Sequence, residues 1–273
     1  VSAFDEALTG HISFSISNLV RSFVLGVTGG RIATAPEGKT RRYFQQATRF
    51  SAAFALMADV SMLVLGGSLK RKEYISARLG DILSELYLLS AVLKHYHDQG
   101  KNGDDLPLVR WAGLTLLHNI QQKFDELLKN FPSRLMRKLL RIIIFPLGKH
   151  FSKPSDKLGH RVAQLMMDQT SSRFRLTEGA FVAAVPGNMP ALLEDALLKT
   201  IAAEPIEKSL KAAVTEGLLE NASTCALAKQ AFSKQLISQA QLDSILQAEV
   251  ARKIVIAVDD FATEDLEHGK YNA

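Results

Sequence analysis

Apolar residues recur at steps of three and four along most of the chain, which is the spacing of amphipathic α-helices. Alternating polar and apolar runs, which are typical of strands, are scarce. The pattern predicts an all-α protein that begins with a bundle of four long helices, at residues 4–23, 40–65, 72–97 and 108–128. Small residues at 77, 80, 84 and 91 of the third helix are predicted to let a neighbouring helix approach closely. Its apolar stripe comprises Ile75, Leu79, Ile82, Leu83, Leu86, Leu89 and Leu93.

The sequence pattern changes after Pro132, where the predicted helices become shorter and prolines become more frequent. This change predicts two parts, a helical bundle at 1–131 and a smaller helical appendix at 132–273. Pro190 and Pro205 each suit the first turn of a helix. Ser238 and Gln241 have the spacing of a capping box at the start of another helix.

The segment from Phe50 to Leu69 has the length of a membrane span. Asp59 lies at its middle, where a charge costs about 2.5–3.5 kcal/mol on insertion scales. We therefore predict a helix that is buried on most sides within the bundle, with Asp59 paired to a neighbour.

Composition narrows the choice of compartment. Apolar residues make up 47% of the 273 positions, and Cys225 is the one cysteine, so an internal disulfide framework is excluded. A reducing cytoplasm is the expected location, and Cys225 is expected to be a small packing residue in an alanine-rich helix. The chain opens within a helical pattern, without an initiator methionine or a recognisable signal peptide, so we expect it to be a piece of a longer protein.

Two short motifs suggest ligands but have simpler interpretations. Gly66-Gly67-Ser68 is followed by Lys70, Arg71 and Lys72, as in a phosphate-binding loop, but no strand precedes the glycines and no Ser or Thr follows the lysine. A corner between two helices, with residues 70–72 in water, is the predicted role. His95 and His97 would diverge on a helix and lack a third ligand nearby, so no metal is assigned.

The positive charge of the chain is concentrated in one region. Residues 134–161 contain eight Lys/Arg and one Asp, whereas the whole chain has a net charge of +5. Apolar residues interleave with the cations as in an interfacial helix, which suggests contact with an anionic membrane. An ordinary helix with a solvated basic face, or attraction of an anionic ligand, would give the same pattern; nucleic-acid binding is not favoured. The candidate membrane residues are Arg134, Arg137, Lys138, Arg141 and Lys149.

Several long strings resemble the C-terminal helical part of the large bacterial acyl-CoA dehydrogenases of fatty-acid β-oxidation. They are RSFVLGVTGGRIATAPEGKTRRYFQQATRFSAAFALMADVSM, GGSLKRKEYISARLGDILSELYLLSAVLK, NFPSRLMRKLLRIIIFPLGKHFSKPSDKLGHRVA, LLEDALLKTIAAEPIEKSL and VIAVDDFATEDLE. The resemblance spans nearly the whole chain. It implies an FAD-dependent enzyme that converts long-chain acyl-CoA to trans-2-enoyl-CoA.

The resemblance also implies a catalytic glutamate on a Glu-Gly turn that enters a helix. Three Glu-Gly pairs occur, at Glu37, Glu178 and Glu216, and none is followed by the helix pattern expected after the catalytic turn. The base is therefore expected upstream of Val1, together with most FAD and CoA contacts. FAD is expected in the intact enzyme and not in this chain alone.

In the resembling family the helical bundle packs against the flavin domains and a second subunit. By that resemblance the expected partners are the upstream flavin domains, the acyl-CoA substrate, a second copy of the chain and the inner membrane surface. Arginines of the bundle could pair with Asp59, Asp81 or Glu85, or reach FAD phosphates across a subunit boundary. The candidates are Arg21, Arg41, Arg42 and Arg78. The alternative is a stand-alone helical docking or scaffold protein that uses the basic region 134–161.

Overall fold

The computed structural model describes residues 2–258, with side chains from residue 4 onward. The acidic string DDFATEDLE lies outside the described residues. Within them the protein contains ten α-helices and no strand, which confirms the predicted all-α class. It forms two compact units that divide between Met166 and Met167. The helices of the first unit are α1 Ser2–Val27, α2 Arg41–Leu65, α3 Glu73–Asp98, α4 Leu106–Lys129, α5 Arg134–Ile144 and α6 Asp156–Met167, which ends at the division. The helices of the second are α7 Ser171–Thr177, α8 Met189–Thr215, α9 Thr224–Ser233 and α10 Gln239–Ile256.

The core of the first unit is built around aromatic side chains. The fully buried Phe50 of α2 stacks on Phe124 of α4 with ring centroids 5.8 Å apart, and Phe145 packs edge-on against both rings. The predicted stripe of α3 supplies the opposite wall and is buried at five positions, whereas Leu83 is exposed. Those five are Ile75, Ile82, Leu86, Leu89 and Leu93.

Helix α5 belongs to the same core. Leu140, Ile143 and Ile144 are buried and join the cluster that contains Phe50 and Phe124. The predicted boundary between residues 131 and 132 therefore falls inside the first unit. The change in pattern at Pro132 corresponds to the loop between α4 and α5. It is not a domain boundary, because apolar side chains from both helices belong to one core.

Helix α2 is buried along its first two thirds and exposed at its end. Asp59 is paired as predicted, since Asn18 Nδ2 of α1 donates to its Oδ2 at 2.9 Å. Met62, Leu63 and Val64 are exposed, which corrects the expectation of burial on most sides. By length and composition, segment 41–71 is the one described helix that could cross a membrane, a test that buried core helices also pass.

The segment after α2 forms a helix–helix corner. Residues 66–71 form a 3-10 helix that directly follows α2, so no strand precedes the glycines. Gly66 has φ +50°, in the left-handed region that favours glycine. Residues 70–72 are exposed, as predicted for a corner whose cations stay in water.

Glycine permits close helix packing at two positions that the sequence pattern did not indicate. A Cβ at Gly26 would lie 2.7 Å from the Ile143 carbonyl oxygen, and one at Gly113 would lie 2.7 Å from the Tyr43 ring. By contrast, the small residues of α3 at 77, 80, 84 and 91 are exposed, so the prediction that they admit a neighbouring helix is wrong for the described chain. Gly26 is therefore the point at which α1 meets the end of α5.

We expect Gly26→Ala to lower the free energy of unfolding by about 2 kcal/mol, because the clash is with backbone that must move. Gly80 is the matched control, since it lies mid-helix with nothing within 4 Å of its Cβ position. Gly80→Ala should raise the free energy of unfolding by about 0.5–1 kcal/mol through helix propensity. Urea unfolding of both variants measures the difference, and equal effects would show that α1 does not approach α5 so closely.

The second unit packs α8 with α9 and α10. Its core comprises Ala203, Leu210, Leu219, Leu227, Ala228, Ala231, Leu242, Ile245 and Ala248. Ser238 and Gln241 form the predicted capping box, and Pro190 lies in the first turn of α8 as predicted. Pro205 lies inside α8, so its predicted place in a first turn is wrong. Helix α8, with 27 residues, is the exception to the predicted shortening of helices after Pro132, which the other described helices there follow.

Candidate functional site

Helix α5 presents two different faces. Ser133 caps its start by accepting a hydrogen bond from the Met136 N–H at 3.3 Å. One side is buried in the core, and next to the exposed cations the helix also exposes Leu135 at 76% and Ile142 at 62%, with Leu139 between them. An ordinary amphipathic helix would place polar residues there, so these side chains form an apolar surface on the outside of the protein.

Two of the five candidate membrane cations are engaged in the fold. Arg141 Nη2 lies 3.2 Å from Asp125 Oδ1, and Lys149 Nζ lies 3.0 Å from Asp125 Oδ2. Lys129 Nζ completes the group at 2.9 Å from Oδ2. The Asp125 side chain is only 3% exposed. Arg141 and Lys149 therefore tie α5 and the following loop to α4, a role that their spacing in the sequence did not reveal.

Asp125 is charged because of these partners. Burial raises the pKa of the carboxyl, but the hydrogen bonds from Lys129 and Lys149 and their positive charges outweigh it, so the pKa lies below its ordinary value. A buried carboxylate with three cations is the electrostatic centre of the first unit. Sequence reasoning missed it, because Asp125 is an unremarkable position within a helical pattern.

The remaining three cations of α5 differ in accessibility. Arg137 is half-buried, and its Nη2 lies 3.5 Å from the Phe131 carbonyl, at the limit of a hydrogen bond. Arg134 and Lys138 are exposed, and neither has an ion pair within residues 4–258. The cations of α5 that can meet an external anion without breaking the fold are therefore Arg134 and Lys138.

An apolar groove of about 620 Å³ runs between α1, α2 and α5. Its polar members are His11, Ser15 and Asp59. The apolar lining comprises Ile12, Ile16, Leu19, Leu56, Val60, Met62, Leu63, Met136, Leu139, Leu140 and Ile143. Leu139 belongs both to this groove and to the exposed face of α5, so the two apolar surfaces are continuous.

Helix α1 is packed with its polar side inward. Asn18 and Ser22 are buried at 2% and 1% exposure, whereas Ile16, Val20 and Phe23 are exposed. Burial of apolar side chains is the main favourable contribution to folding, so a helix that exposes its apolar side is poorly covered by its own bundle. Long exposed apolar surface of this kind is typical of a contact with another protein surface or a bilayer.

The four candidate cofactor arginines do not form the expected ion pairs. Asp59 accepts from Asn18, Asp81 pairs with Lys123 at 3.0 Å, and Glu85 accepts from Asn119 at 3.0 Å. The predicted pairing with these carboxylates is therefore wrong. The carboxylates are taken by lysine and asparagine side chains from helices that the sequence could not place beside them.

The four arginines have other surroundings. Arg78 is 3.8 Å from Glu126, and Arg42 donates to Gln45 Oε1 at 2.7 Å and to the Gly29 carbonyl at 2.9 Å. Arg21 and Arg41 are exposed, with no ion pair in the described part of the chain. Arg41 and Arg42 are consecutive at the start of α2, whereas Arg21 lies on α1 and Arg78 on α3.

A buried arginine that the sequence did not single out lies next to Arg42. Arg49 is 4% exposed; its Nη1 donates to Gln46 Oε1 at 3.2 Å and its Nη2 to the Ile144 carbonyl at 3.1 Å. Its guanidinium carbon lies 5.0 Å from the centre of the Phe50 ring. Arg49 therefore links α2 to the end of α5 through backbone and ring contacts, without a carboxylate.

The other chemical candidates lie apart from one another. Glu37, Glu178 and Glu216 are all exposed, and Glu37-Gly38 stands in the loop just before α2. His97 Nε2 lies 3.1 Å from Thr40 Oγ1, which holds the end of α3 against the start of α2. No three His, Cys, Asp or Glu residues among those described come together as metal ligands. Cys225 is half-buried on α9.

The described residues thus form an all-α protein whose bundle exposes an apolar helix, α1, and a partly basic helix, α5. The family model described as acyl-CoA dehydrogenase, C-terminal, bacterial type, matches residues 1–261, and the chain belongs to this family. This confirms the family indicated by the resemblance. No solved structure matches the chain.

Proposed function

We propose that this chain is the C-terminal portion of an FAD-dependent long-chain acyl-CoA dehydrogenase, in which it supports the flavin domains and the packing of two subunits. The observation that carries the proposal is the outward-facing apolar side of α1 in a member of this family. The catalytic glutamate and FAD would belong to segments upstream of Val1. The site of action would be the cytoplasm, with the protein peripheral on the inner membrane.

Helix α1 supports a role in covering another domain. Its exposed apolar residues follow the helical repeat along one side, from Ile12 through Ile16 to Phe23, beside the groove lined by α2 and α5. Asn18 and Ser22 lie on the buried side of α1, so the apolar side remains available to a neighbouring domain. Burial of each such side chain is worth about 1.5–3 kcal/mol.

The test compares the chain alone with the chain expressed together with the segment encoded directly upstream. We expect flavin absorbance and palmitoyl-CoA-dependent dye reduction only when both are present. Ile16→Asp and Phe23→Asp should each reduce flavin retention, while Leu83→Asp, on the exposed side of α3, is the matched control. Tight stoichiometric FAD and palmitoyl-CoA dehydrogenation by the chain alone would contradict the proposal.

We further propose that α5 contacts the anionic inner membrane. Leu135, Leu139 and Ile142 would enter the interface, and Arg134 and Lys138 would meet lipid phosphates. Arg137, Arg141 and Lys149 are excluded from this role, since the fold already uses or covers them. The residues proposed to contact the membrane are therefore two cations and three apolar side chains of α5.

Vesicle co-sedimentation tests this contact at low salt. Each cation near an anionic leaflet is worth about 1 kcal/mol, so Arg134→Gln with Lys138→Gln should weaken binding to phosphatidylglycerol vesicles roughly thirtyfold. The control carries Lys157→Gln and Arg161→Gln, which remove the same charge from exposed sites outside α5. Equal loss in both double variants would show that binding depends on net charge and not on α5.

A further inference from the structure

The turn between α1 and α2 gathers three arginines. The Gly29 carbonyl accepts from Arg42 Nη2 at 2.9 Å and from Gln46 Nε2 at 2.7 Å. Arg31 Nη1 lies 3.8 Å from the point where a Cβ of Gly29 would stand, and Arg49 reaches the same group through Gln46. We call Arg31, Arg42 and Arg49 the arginine cluster.

No carboxylate compensates this cluster among the described residues. None of its three arginines forms an ion pair with aspartate or glutamate in residues 4–258. Between residues 7 and 58 the sequence has six Lys/Arg and a single acidic residue, Glu37, so the imbalance extends to the surroundings. Burial of a cation without a counter-ion is costly, so the buried Arg49 and its two arginine neighbours have a positive charge that the described residues do not compensate.

The three cations also repel one another. Burial and then the charge of Arg31 lower the pKa of Arg42, and burial and then the charge of Arg42 lower the pKa of Arg49. The Nε of Arg49 is buried without a hydrogen-bond partner. Both observations have the same consequence: an anion placed at the cluster would be stabilised by all three side chains.

The cluster has more donors than acceptors. Each guanidinium carries five N–H donors. The acceptors in contact with Arg42 and Arg49 are two glutamine side-chain oxygens and the carbonyls of Gly29 and Ile144. Arg31 and Arg42 are exposed, so the unused donors at the surface are open to a ligand from solution.

Close packing and a side-chain hydrogen bond hold the turn against α2. Gly30 has φ +75°, and a Cβ there would lie 2.9 Å from the Gln45 carbonyl oxygen. Gln45 Nε2 donates to the Arg31 carbonyl at 3.0 Å. The backbone around the cluster is therefore preorganised, which reduces the entropy lost when a ligand binds.

We propose that the arginine cluster is a binding site for a phosphate group, with Arg31 and Arg42 contacting the phosphate and Arg49 stabilising its charge from behind. A phosphate offers several acceptor oxygens and up to two negative charges, and planar guanidinium groups bind it through paired N–H···O contacts. The site does not depend on the flavin function proposed above, although Arg42 is among the arginines that the family resemblance suggested for FAD phosphates. Its failure would leave that function untouched.

Calorimetric titration with inorganic diphosphate tests the site at low ionic strength. We expect Arg31→Gln and Arg42→Gln each to weaken binding at least tenfold. Arg71→Gln is the matched control, because Arg71 is exposed in the corner after α2, carries the same charge and stands outside the cluster; its affinity should stay within twofold of wild type. If Arg42→Gln unfolds, Arg42→Lys keeps the charge but not the paired contacts and should still weaken binding severalfold.

Two outcomes would overturn the proposal: no binding of diphosphate by the wild-type chain, or equal weakening by all three glutamine variants, which would indicate a general positive surface. A second arm with phosphatidylglycerol vesicles identifies the source of the phosphate. Vesicle binding that Arg42→Gln weakens in parallel assigns the site to a lipid headgroup. Vesicle binding that this variant leaves unchanged, together with lost diphosphate binding, assigns the site to a soluble phosphate compound.

Discussion

Replacement of Phe124 by alanine is expected to lower the free energy of unfolding of the first unit by about 3–5 kcal/mol. Phe124 is fully buried, and its ring contacts the rings of Phe50 and Phe145 at centroid distances of 5.8 and 6.2 Å. Its removal leaves a cavity among side chains from α2, α4 and the end of α5, which cannot all move inward. The loss should therefore be among the largest for any single apolar substitution in this unit.

Trp111 makes this measurement specific to the first unit. It is the one tryptophan of the chain and lies on α4, so its fluorescence during urea unfolding reports on that unit. Phe14→Ala is the matched control, because Phe14 is 57% exposed on α1, and its effect should stay within about 0.5 kcal/mol. A similar loss for both variants would mean that the aromatic cluster does not form the core.

The second large effect is expected for Asp125→Asn. The substitution removes the charge that Lys129, Arg141 and Lys149 share, and we expect a loss of about 3 kcal/mol, as for a buried charged hydrogen bond. The three cations are partly exposed and can regain water, which limits the loss. Asp81→Asn is the matched control, since that carboxylate is half exposed and paired with Lys123 alone. Its effect should be below about 1 kcal/mol.

The pH dependence of the same variant has a defined sign. The pKa of Asp125 in the folded protein is lowered from its ordinary value, because the partner lysines outweigh burial. Its contribution to stability is therefore fully present above the unfolded pKa of about 3.9 and is lost as the pH falls through the folded value. Wild type and Asp125→Asn should differ most near neutral pH and converge in acid. A difference that grows on acidification would show that Asp125 is not held ionised by its neighbours.

Much of the helical architecture was predictable from local patterns. The predicted second, third and fourth helices match α2, α3 and α4 closely, because apolar periodicity and breaks at glycine and proline act over neighbouring residues. The capping box at Ser238 followed from a three-residue spacing for the same reason. The family, too, was recognisable from strings of consecutive residues.

The candidate site was harder to predict, because its contacts join distant residues. The basic region of the sequence treated five cations alike, yet Arg141 and Lys149 pair with Asp125, which lies 16 and 24 positions away. Arg49 and Ile144 are 95 positions apart, so the sequence around Arg49 does not indicate that this arginine is buried. The proximity of Arg31, Arg42 and Arg49 likewise could not be predicted from their spacing. It depends on the turn at Gly29 and Gly30, whose left-handed conformation directs the chain back to α2.

In helix α1, the sequence pattern and the tertiary packing determined different properties. Its three- and four-residue periodicity made it a helix, and a periodic apolar side is ordinarily interpreted as the buried one. The fold buries Asn18, Ser22, Leu25 and Gly26 instead, because Asn18 can donate to Asp59 and the close approach of α5 at Gly26 leaves no room for a side chain there. Periodicity in the sequence therefore established the helix and its two sides. The tertiary packing decided which side faces inward, because that depends on the shape and hydrogen-bonding groups of neighbouring residues that are remote along the chain.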